Sequence, residues 1–259
     1  MRPIEMFPVI RKPVLPERAL LICGLDSVMP VVRSLAGALA SEPGWVTAAA
    51  ALDMPPCNPG ADRSTEPVAG AGTDTGADPY VAPRPTSAGL QVTGGSHGPQ
   101  HSGCSGHWLS NTGLQVVAGW MDQFTEQSGC TKVWICGFGI LGSLATLYAA
   151  GNQPGDGDER VRGVACVGVE VPLADPGRPQ AGEQQEELVL EAARRFAPRP
   201  FLVIHGLEDA VTLPDQARAL ASAAGQEASL RLLGGAGHDL HADPRVVALL
   251  IGWMDQNAL

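Results

Sequence analysis

Short apolar runs alternate along this chain with longer segments of helical periodicity. Six runs rich in Val, Ile, Leu and Ala have the length of buried strands, and they cover residues 18–23, 45–52, 132–136, 161–169, 201–205 and 228–233. Six segments place apolar residues along one helical face, and they cover residues 28–40, 110–127, 140–150, 183–196, 214–224 and 243–256. Residues 172–182 are predicted to form a linker. The alternation predicts a mostly parallel sheet with helices on both faces.

One long segment, residues 53–106, interrupts this alternation. It is crowded with Gly, Pro, Ser, Thr and Asp and holds few large apolar residues. Such a composition buries too little surface to offset the entropy of ordering the chain. The segment is therefore predicted to be a low-complexity insertion within a single domain that spans residues 1–259. An insertion of this length is either a disordered excursion or an arm that binds a partner.

The composition narrows the classes of partner and compartment. The chain has 259 residues with 44% hydrophobic and 17% charged residues, which suits a folded globule. Its net charge of −10 argues against a nucleic-acid partner, because phosphate binding needs a basic surface. No apolar run is long enough to predict a membrane span. The six cysteines form no disulfide framework, so a reducing intracellular compartment is expected, either the cytoplasm or an organelle such as the mitochondrion.

Three motifs follow predicted strands and should meet at one edge of the sheet, because ligands of such sheets bind at the carboxyl ends of the strands. They are residues 136–142 (CGFGILG), 204–209 (IHGLED) and 235–240 (GAGHDL). In this order and position they resemble the α/β-hydrolase family, in its dienelactone-hydrolase-like branch. In that family the nucleophile lies in G-x-S-x-G and is followed along the chain by an Asp and a His.

The resemblance implies an α/β-hydrolase fold with a minimal cap, and it assigns positions to an incomplete triad. Asp209 takes the position of the acid and His238 that of the base, while the position of the nucleophile is held by Gly139. A glycine has no group with which to attack, and it also relieves the backbone strain of the elbow. Backbone N–H groups near Leu25 and Ile140 take the position of the oxyanion hole.

Further departures from the family pattern favour a protein without catalytic activity. Leu141 replaces a small residue, and the loop at 23–27 is short and contains Asp26, which is favoured as a helix cap. Gly139→Ser alone is therefore not expected to give a competent esterase, because Leu141 and Asp26 would obstruct the site. The leading hypothesis is a binding or structural subunit of a larger assembly, with residues 53–106 as its contact with a protein partner.

An alternative hypothesis keeps the chain an enzyme. His238, oriented by Asp209, could act as a general base on water or on an acidic C–H bond of a small-molecule ligand. Hydrolase, lyase or cyclase chemistry would then proceed without a covalent nucleophile.

Two nucleophilic side chains lie close to Gly139 in the sequence. Cys136 is expected to point from a buried strand, and Ser143 to pack one turn further along the helix. Neither is expected to replace the missing nucleophile.

The elbow also matches a dinucleotide-binding fingerprint. Gly137, Gly139 and Gly142 form G-x-G-x-x-G between a strand and a helix, and Glu170 ends the next strand, where an acidic ribose ligand would lie. The spacing to Glu170 is longer than usual for that motif, so no cofactor is expected. An increase in melting temperature on addition of NAD or FAD would support this alternative.

The insertion contains residue types that can bind zinc. His97, His101, Cys104 and His107 are tolerably spaced for such a site, but a polar Gly-rich loop accounts for them as well, and no metal is expected. A further possibility is that Cys104, Ser105 or His107 folds back over the elbow.

Overall fold

The computed structural model describes residues 3–7, 18–25, 28–41, 44–52, 109, 111–151, 155–171 and 179–257. The insertion predicted at 53–106 lies outside these residues, and so do Asp26 and the residues considered as zinc ligands or as a replacement nucleophile, which are His97, His101, Cys104, Ser105 and His107.

Seven strands form one sheet within the described residues. They are β1 Glu5–Phe7, β2 Arg18–Leu25, β3 Trp45–Leu52, β4 Val133–Phe138, β5 Val161–Val167, β6 Phe201–Gly206 and β7 Ala228–Leu233. Their order is β1-β3-β2-β4-β5-β6-β7. The short strand β1 pairs antiparallel with β3, and all the other neighbours are parallel. The mostly parallel sheet predicted from the alternation is confirmed, with β1 as an addition.

Among the described residues, six α-helices connect or follow the strands. They are α1 Met29–Ala40, α2 Asn111–Ser128, α3 Ile140–Ala150, α4 Pro179–Phe196, α5 Pro214–Ala223 and α6 Pro244–Gln256, with a 3-10 turn at Leu240–Ala242. The prediction of a linker at 172–182 is wrong in its second part, because α4 begins at Pro179. Proline is favoured in the first turn of a helix, and the Gln and Glu residues that follow have good helix propensity without showing an apolar stripe.

The helices pack on both faces of the sheet, as predicted. One core joins the sheet to α2, α3, α4 and α5, and the other joins it to α1 and α6. In the second core Trp134 of β4 meets Trp253 of α6 edge to face, with ring centroids 4.8 Å apart. Both faces of the central strands are therefore covered, which explains why their sequences are apolar throughout. None of the described helices is long and apolar enough to cross a membrane.

The register of the strands brings four turns to one edge. Gly137 of β4 pairs with Cys166 of β5, and Gly206 at the end of β6 pairs with Leu233 at the end of β7. The turns after β4, β5, β6 and β7 therefore share the carboxyl edge of the sheet.

Candidate active site

The turn from β4 into α3 is a sharp elbow with Gly139 at its apex. Gly139 has φ 59° and ψ −130°. Its N–H donates to the carbonyl of Val167 on β5 at 2.9 Å, and its own carbonyl accepts from Gly142 N at 3.1 Å. This backbone conformation costs a residue with a side chain about 1–3 kcal/mol, whereas glycine adopts it freely. The elbow therefore has a backbone conformation that glycine adopts without strain.

The glycines beside the apex are required by close packing between strand and helix. A Cβ added at Gly137 would lie 2.4 Å from the Leu141 carbonyl oxygen and from Gly142 N, and one at Gly142 would lie 3.1 Å from the Cβ of Cys166. These contacts explain the spacing of the glycines without a dinucleotide, and the dinucleotide site remains an untested alternative.

The space at the apex faces a carboxylate. A Cβ added at Gly139 would have one described atom beyond the adjoining residues within 4 Å, the Oε2 of Glu170 at 3.9 Å. Glu170 follows β5 and was considered in the sequence only as a ribose ligand. The structure instead brings it beside Gly139 at the apex.

The carboxylate of Asp209 lies in the turn after β6 and is fully buried. One oxygen accepts from the N–H groups of Val211 at 2.8 Å and Thr212 at 2.9 Å. The other accepts from the Thr212 hydroxyl at 2.9 Å and from His238 at 3.0 Å. Burial acts to raise the pKa of Asp209, but the hydrogen bonds from Thr212, His238 and Val211 outweigh it and hold the pKa below its ordinary value.

His238 is oriented by Asp209. Its Nδ1–H donates to the ionised carboxylate, which fixes the tautomer and leaves the lone pair on Nε2, at the far side of the ring. The side chain as a whole is 37% exposed. The expected Asp–His arrangement is formed, and it is the arrangement that a general base requires.

The loops that carry this pair are in direct contact because β6 ends in Gly206. A Cβ added there would lie 2.2 Å from the carbonyl oxygen of Gly237 and 2.5 Å from that of Ala236. Beside this contact, Glu208 N donates to the Ala236 carbonyl at 3.0 Å. The glycine thus allows the acid loop and the base loop to approach within hydrogen-bonding distance.

Two supports of the acid were missed in the sequence. His205 is buried, and its Nε2 lies 2.8 Å from the Thr212 carbonyl and 3.3 Å from Oδ2 of Asp209. This ring therefore donates from Nε2, while its buried Nδ1 has no partner among the described residues. Thr212 was detectable as the fourth residue of Asp-x-x-Thr, a pattern in which the acid accepts from the backbone ahead of it.

Comparison with solved structures identifies the fold. The esterase domain of a Rhodothermus marinus protein superposes with a TM-score of 0.56 at 14% identity, covering 99% of this chain and 92% of that one. The monoacylglycerol lipase of Paleococcus ferrophilus gives 0.55 at 14% identity, covering 98% of each chain. The Thermus thermophilus protein TT1662 gives 0.53 at 18% identity, covering 98% of this chain and 99% of that one.

This chain has the α/β-hydrolase fold. The fold class predicted from the three motifs is confirmed. No protein-family model and no curated protein sequence matches the chain, so the comparisons establish the α/β-hydrolase fold and leave its activity to be argued from the site.

Neither Ser143 nor Cys136 is exposed at the elbow. Ser143 is fully buried and donates its hydroxyl to the Glu170 carbonyl at 2.8 Å. Cys136 is also fully buried, which raises the pKa of its thiol well above the ordinary value, and the neighbouring thiols of Cys23 and Cys166 raise it further. A buried thiol of raised pKa is a poor nucleophile. The expectation that neither residue serves is supported.

Leu141 does not obstruct the site. Its side chain is fully buried and belongs to the core between the sheet and α3. The larger residue is therefore accommodated by the core, and the expected obstruction by Leu141 is wrong. The oxyanion-hole positions remain predictions. Ile140 is the first residue of α3, so its N–H has no partner within the helix, and Leu25 ends the neighbouring strand β2.

The described residues contain no group of three or more His, Cys, Asp or Glu that could hold a metal ion.

The lowered pKa of Asp209 predicts a pH-dependent contribution to stability. A carboxyl group whose pKa is lower in the folded protein stabilises it above the unfolded pKa, about 3.9 for Asp. That contribution is lost as the pH falls through the folded value. Asp209→Asn is therefore expected to be less stable than the natural chain at pH 7, and the difference should shrink below about pH 4. Urea unfolding of both proteins at pH 7 and pH 3 measures this, and a pH-independent difference would contradict it.

Proposed function

We propose that this chain uses its α/β-hydrolase fold to bind a ligand or a protein partner and forms no acyl-enzyme. The observation that carries this proposal is the apex of the elbow, where Gly139 keeps the backbone conformation but offers no attacking atom. Acyl transfer on this fold requires a hydroxyl or a thiol at that position. Among the described residues, Ser143 and Cys136 are buried and cannot supply it.

The proposal extends to the insertion. Residues 53–106 would be the contact with a protein partner in an intracellular assembly, because their composition favours ordering by a partner over folding alone. Copurification of a stoichiometric partner with the natural chain, and its loss on deletion of residues 53–106, would support this part.

A test of the absent acyl-enzyme uses a p-nitrophenyl ester and the natural chain. An acyl-enzyme would release one p-nitrophenol per molecule in a burst and add the mass of the acyl group to the protein. We expect neither a burst nor an acyl adduct in the intact mass spectrum. A stoichiometric adduct on the natural chain would overturn the proposal.

The hydrogen bond of 3.0 Å between Asp209 and His238 favours a second function. With its side chain 37% exposed, His238 could activate water or remove a proton from a bound substrate without covalent attack. A substrate turned over by the natural chain and lost by a factor of about 10² or more in His238→Ala would establish this function. The acyl-adduct test would remain negative in that case, so the two functions are distinguishable.

A further inference from the structure

A cavity of about 500 Å³ lies at the amino edge of the sheet, at the opposite end of the strands from the candidate active site. It is lined by residues at the start of three strands, since Lys132 precedes β4, Val161 begins β5 and Arg199 precedes β6. Its volume lies in the range typical of sites that bind small molecules. The cavity is therefore separate from the elbow and from the Asp–His pair.

The wall of this cavity is basic. Lys132, Arg162, Arg195 and Arg199 line it, and Glu159 is the one carboxylate among the described lining residues. The Arg162 guanidinium also donates to a carbonyl just beyond α6 at 3.1 Å, and without it three cations still face one carboxylate. Because the chain as a whole has a net charge of −10, the cavity is a local excess of positive charge on an acidic protein.

Hydrogen bonds to two neighbouring segments hold three of these cations together. Arg199 donates to two carbonyls of residues 158–161 at 3.0 and 3.2 Å, and Lys132 Nζ donates to a third at 2.6 Å. Arg199 and Arg195 also donate to carbonyls at the C-terminal end of α3, at 2.8 and 2.9 Å. Because Arg199 is bound to both segments, the three cationic groups are gathered around one small volume.

These hydrogen bonds leave the charge of the cations largely uncompensated. A carbonyl carries no net charge, and the end of α3 adds only about half a negative charge. The Glu191 carboxylate lies 3.7 Å from Arg195, which is beyond hydrogen-bonding distance. Burial lowers the pKa of Arg199 below its ordinary value, and the charges of Asp158 and Glu159 do not restore it. A further negative charge in the cavity would therefore stabilise the Arg199 cation.

Small residues keep the cavity open, and they are Ala150, Gly155 and Gly157. A Cβ at Gly157 would lie 2.9 Å from Nη2 of Arg199, so a larger residue there would displace the guanidinium. Three of the five N–H groups of Arg199 and one of the three of Lys132 donate to carbonyls. The remaining N–H groups are available to an acceptor in the cavity.

We propose that this cavity binds a phosphate group, with Lys132, Arg195 and Arg199 as its ligands. Phosphate carries more than one negative charge at neutral pH, and its oxygens accept several charge-assisted hydrogen bonds. Guanidinium and ammonium groups are both suited to it, the first through its planar fork and the second as a compact charge. Glu159 opposes the binding and limits its affinity. The site is independent of the function proposed for the elbow, because the two lie at opposite edges of the sheet.

Two variants of exposed residues change the charge of the cavity in opposite directions. Lys132→Gln removes a cation. Glu159→Gln removes the opposing carboxylate, which forms no hydrogen bond with the described residues. Arg231→Gln is the matched control, because Arg231 is an exposed cation on β7 that does not line the cavity. Titration calorimetry at constant ionic strength measures the binding of inorganic phosphate and of propyl phosphate to each protein.

We expect the natural chain to bind one phosphate group, Lys132→Gln to bind it about threefold or more weakly, and Glu159→Gln about threefold or more tightly. Arg231→Gln should change the affinity by less than about twofold, because salt screens charges outside the cavity. Tighter binding of propyl phosphate would identify a phosphorylated small molecule as the ligand, and tighter binding of phosphate would identify the free anion. The absence of saturable binding of either probe, or equal affinities of the Lys132 and Glu159 variants, would overturn the proposal.

Discussion

Gly206→Ala is expected to force the acid loop away from the base loop and to lower the free energy of unfolding by about 3 kcal/mol or more. The added methyl would lie 2.2 Å from the Gly237 carbonyl oxygen and 2.5 Å from that of Ala236. Both obstacles are backbone atoms, which cannot rotate aside as a side chain can. The base loop must therefore move, and with it His238. Urea unfolding measures the loss of stability.

Gly234→Ala is the matched control for this prediction. Gly234 lies in the same turn region after β7, but a Cβ there has no described atom within 4 Å. Its effect should stay within about 0.5 kcal/mol. Similar stabilities of the Gly206→Ala and Gly234→Ala variants would show that the two loops are not packed as described.

Gly139→Ser is expected to gain a reaction that the natural chain lacks, covalent labelling by an alkyl fluorophosphonate. The new hydroxyl would attack phosphorus, the P–F bond would break, fluoride would leave, and His238 would take the hydroxyl proton. The backbone of the elbow is already in place, and the described residues leave room for a Cβ at Gly139. The positive φ should cost the variant about 1–3 kcal/mol of stability. Intact mass spectrometry measures the labelling rate.

Two controls identify the origin of this labelling. Gly139→Ala carries the same strain without a hydroxyl and should remain unlabelled. Adding His238→Ala to Gly139→Ser should slow the reaction by about 10². A folded Gly139→Ser protein that is not labelled would show that the rest of the site has also been lost. Full esterase activity is still not expected, because Asp26 remains as a predicted obstruction.

The strands and helices were predictable where burial leaves a repeating pattern. Strands β2 to β7 are long enough to show a run of apolar residues, and the faces of α2 and α6 repeat every three or four positions. Strand β1 has only three residues, partly exposed, and its place is set by pairing with β3. The first turns of α4 are polar, so no pattern separated them from a linker.

The residues of the site that lie in local sequence motifs were predictable. Gly139, Asp209 and His238 each lie in a short motif. The order of these motifs along the chain matches that of the nucleophile, the acid and the base in α/β hydrolases. The proximity of Glu170 to the apex arises from the parallel pairing of β4 with β5, which brings together turns that are distant in sequence. His205 also contacts Asp209 only because the turn after β6 folds back on its own strand. Contacts of this kind depend on tertiary packing, so no local sequence motif predicts them.

The insertion between β3 and α2 has a consequence for regulation. Strand β3 ends at Leu52 at the carboxyl edge, and the 18-residue helix α2 leads from that side down to the start of β4, a length of about 27 Å. Residues 53–106 therefore connect two elements, β3 and α2, of which the first ends and the second begins at the edge that carries His238. A partner bound to them would be tethered there at an effective concentration in the millimolar range. If the partner changed the affinity of the site for a ligand by some factor, the ligand would change the affinity for the partner by the same factor.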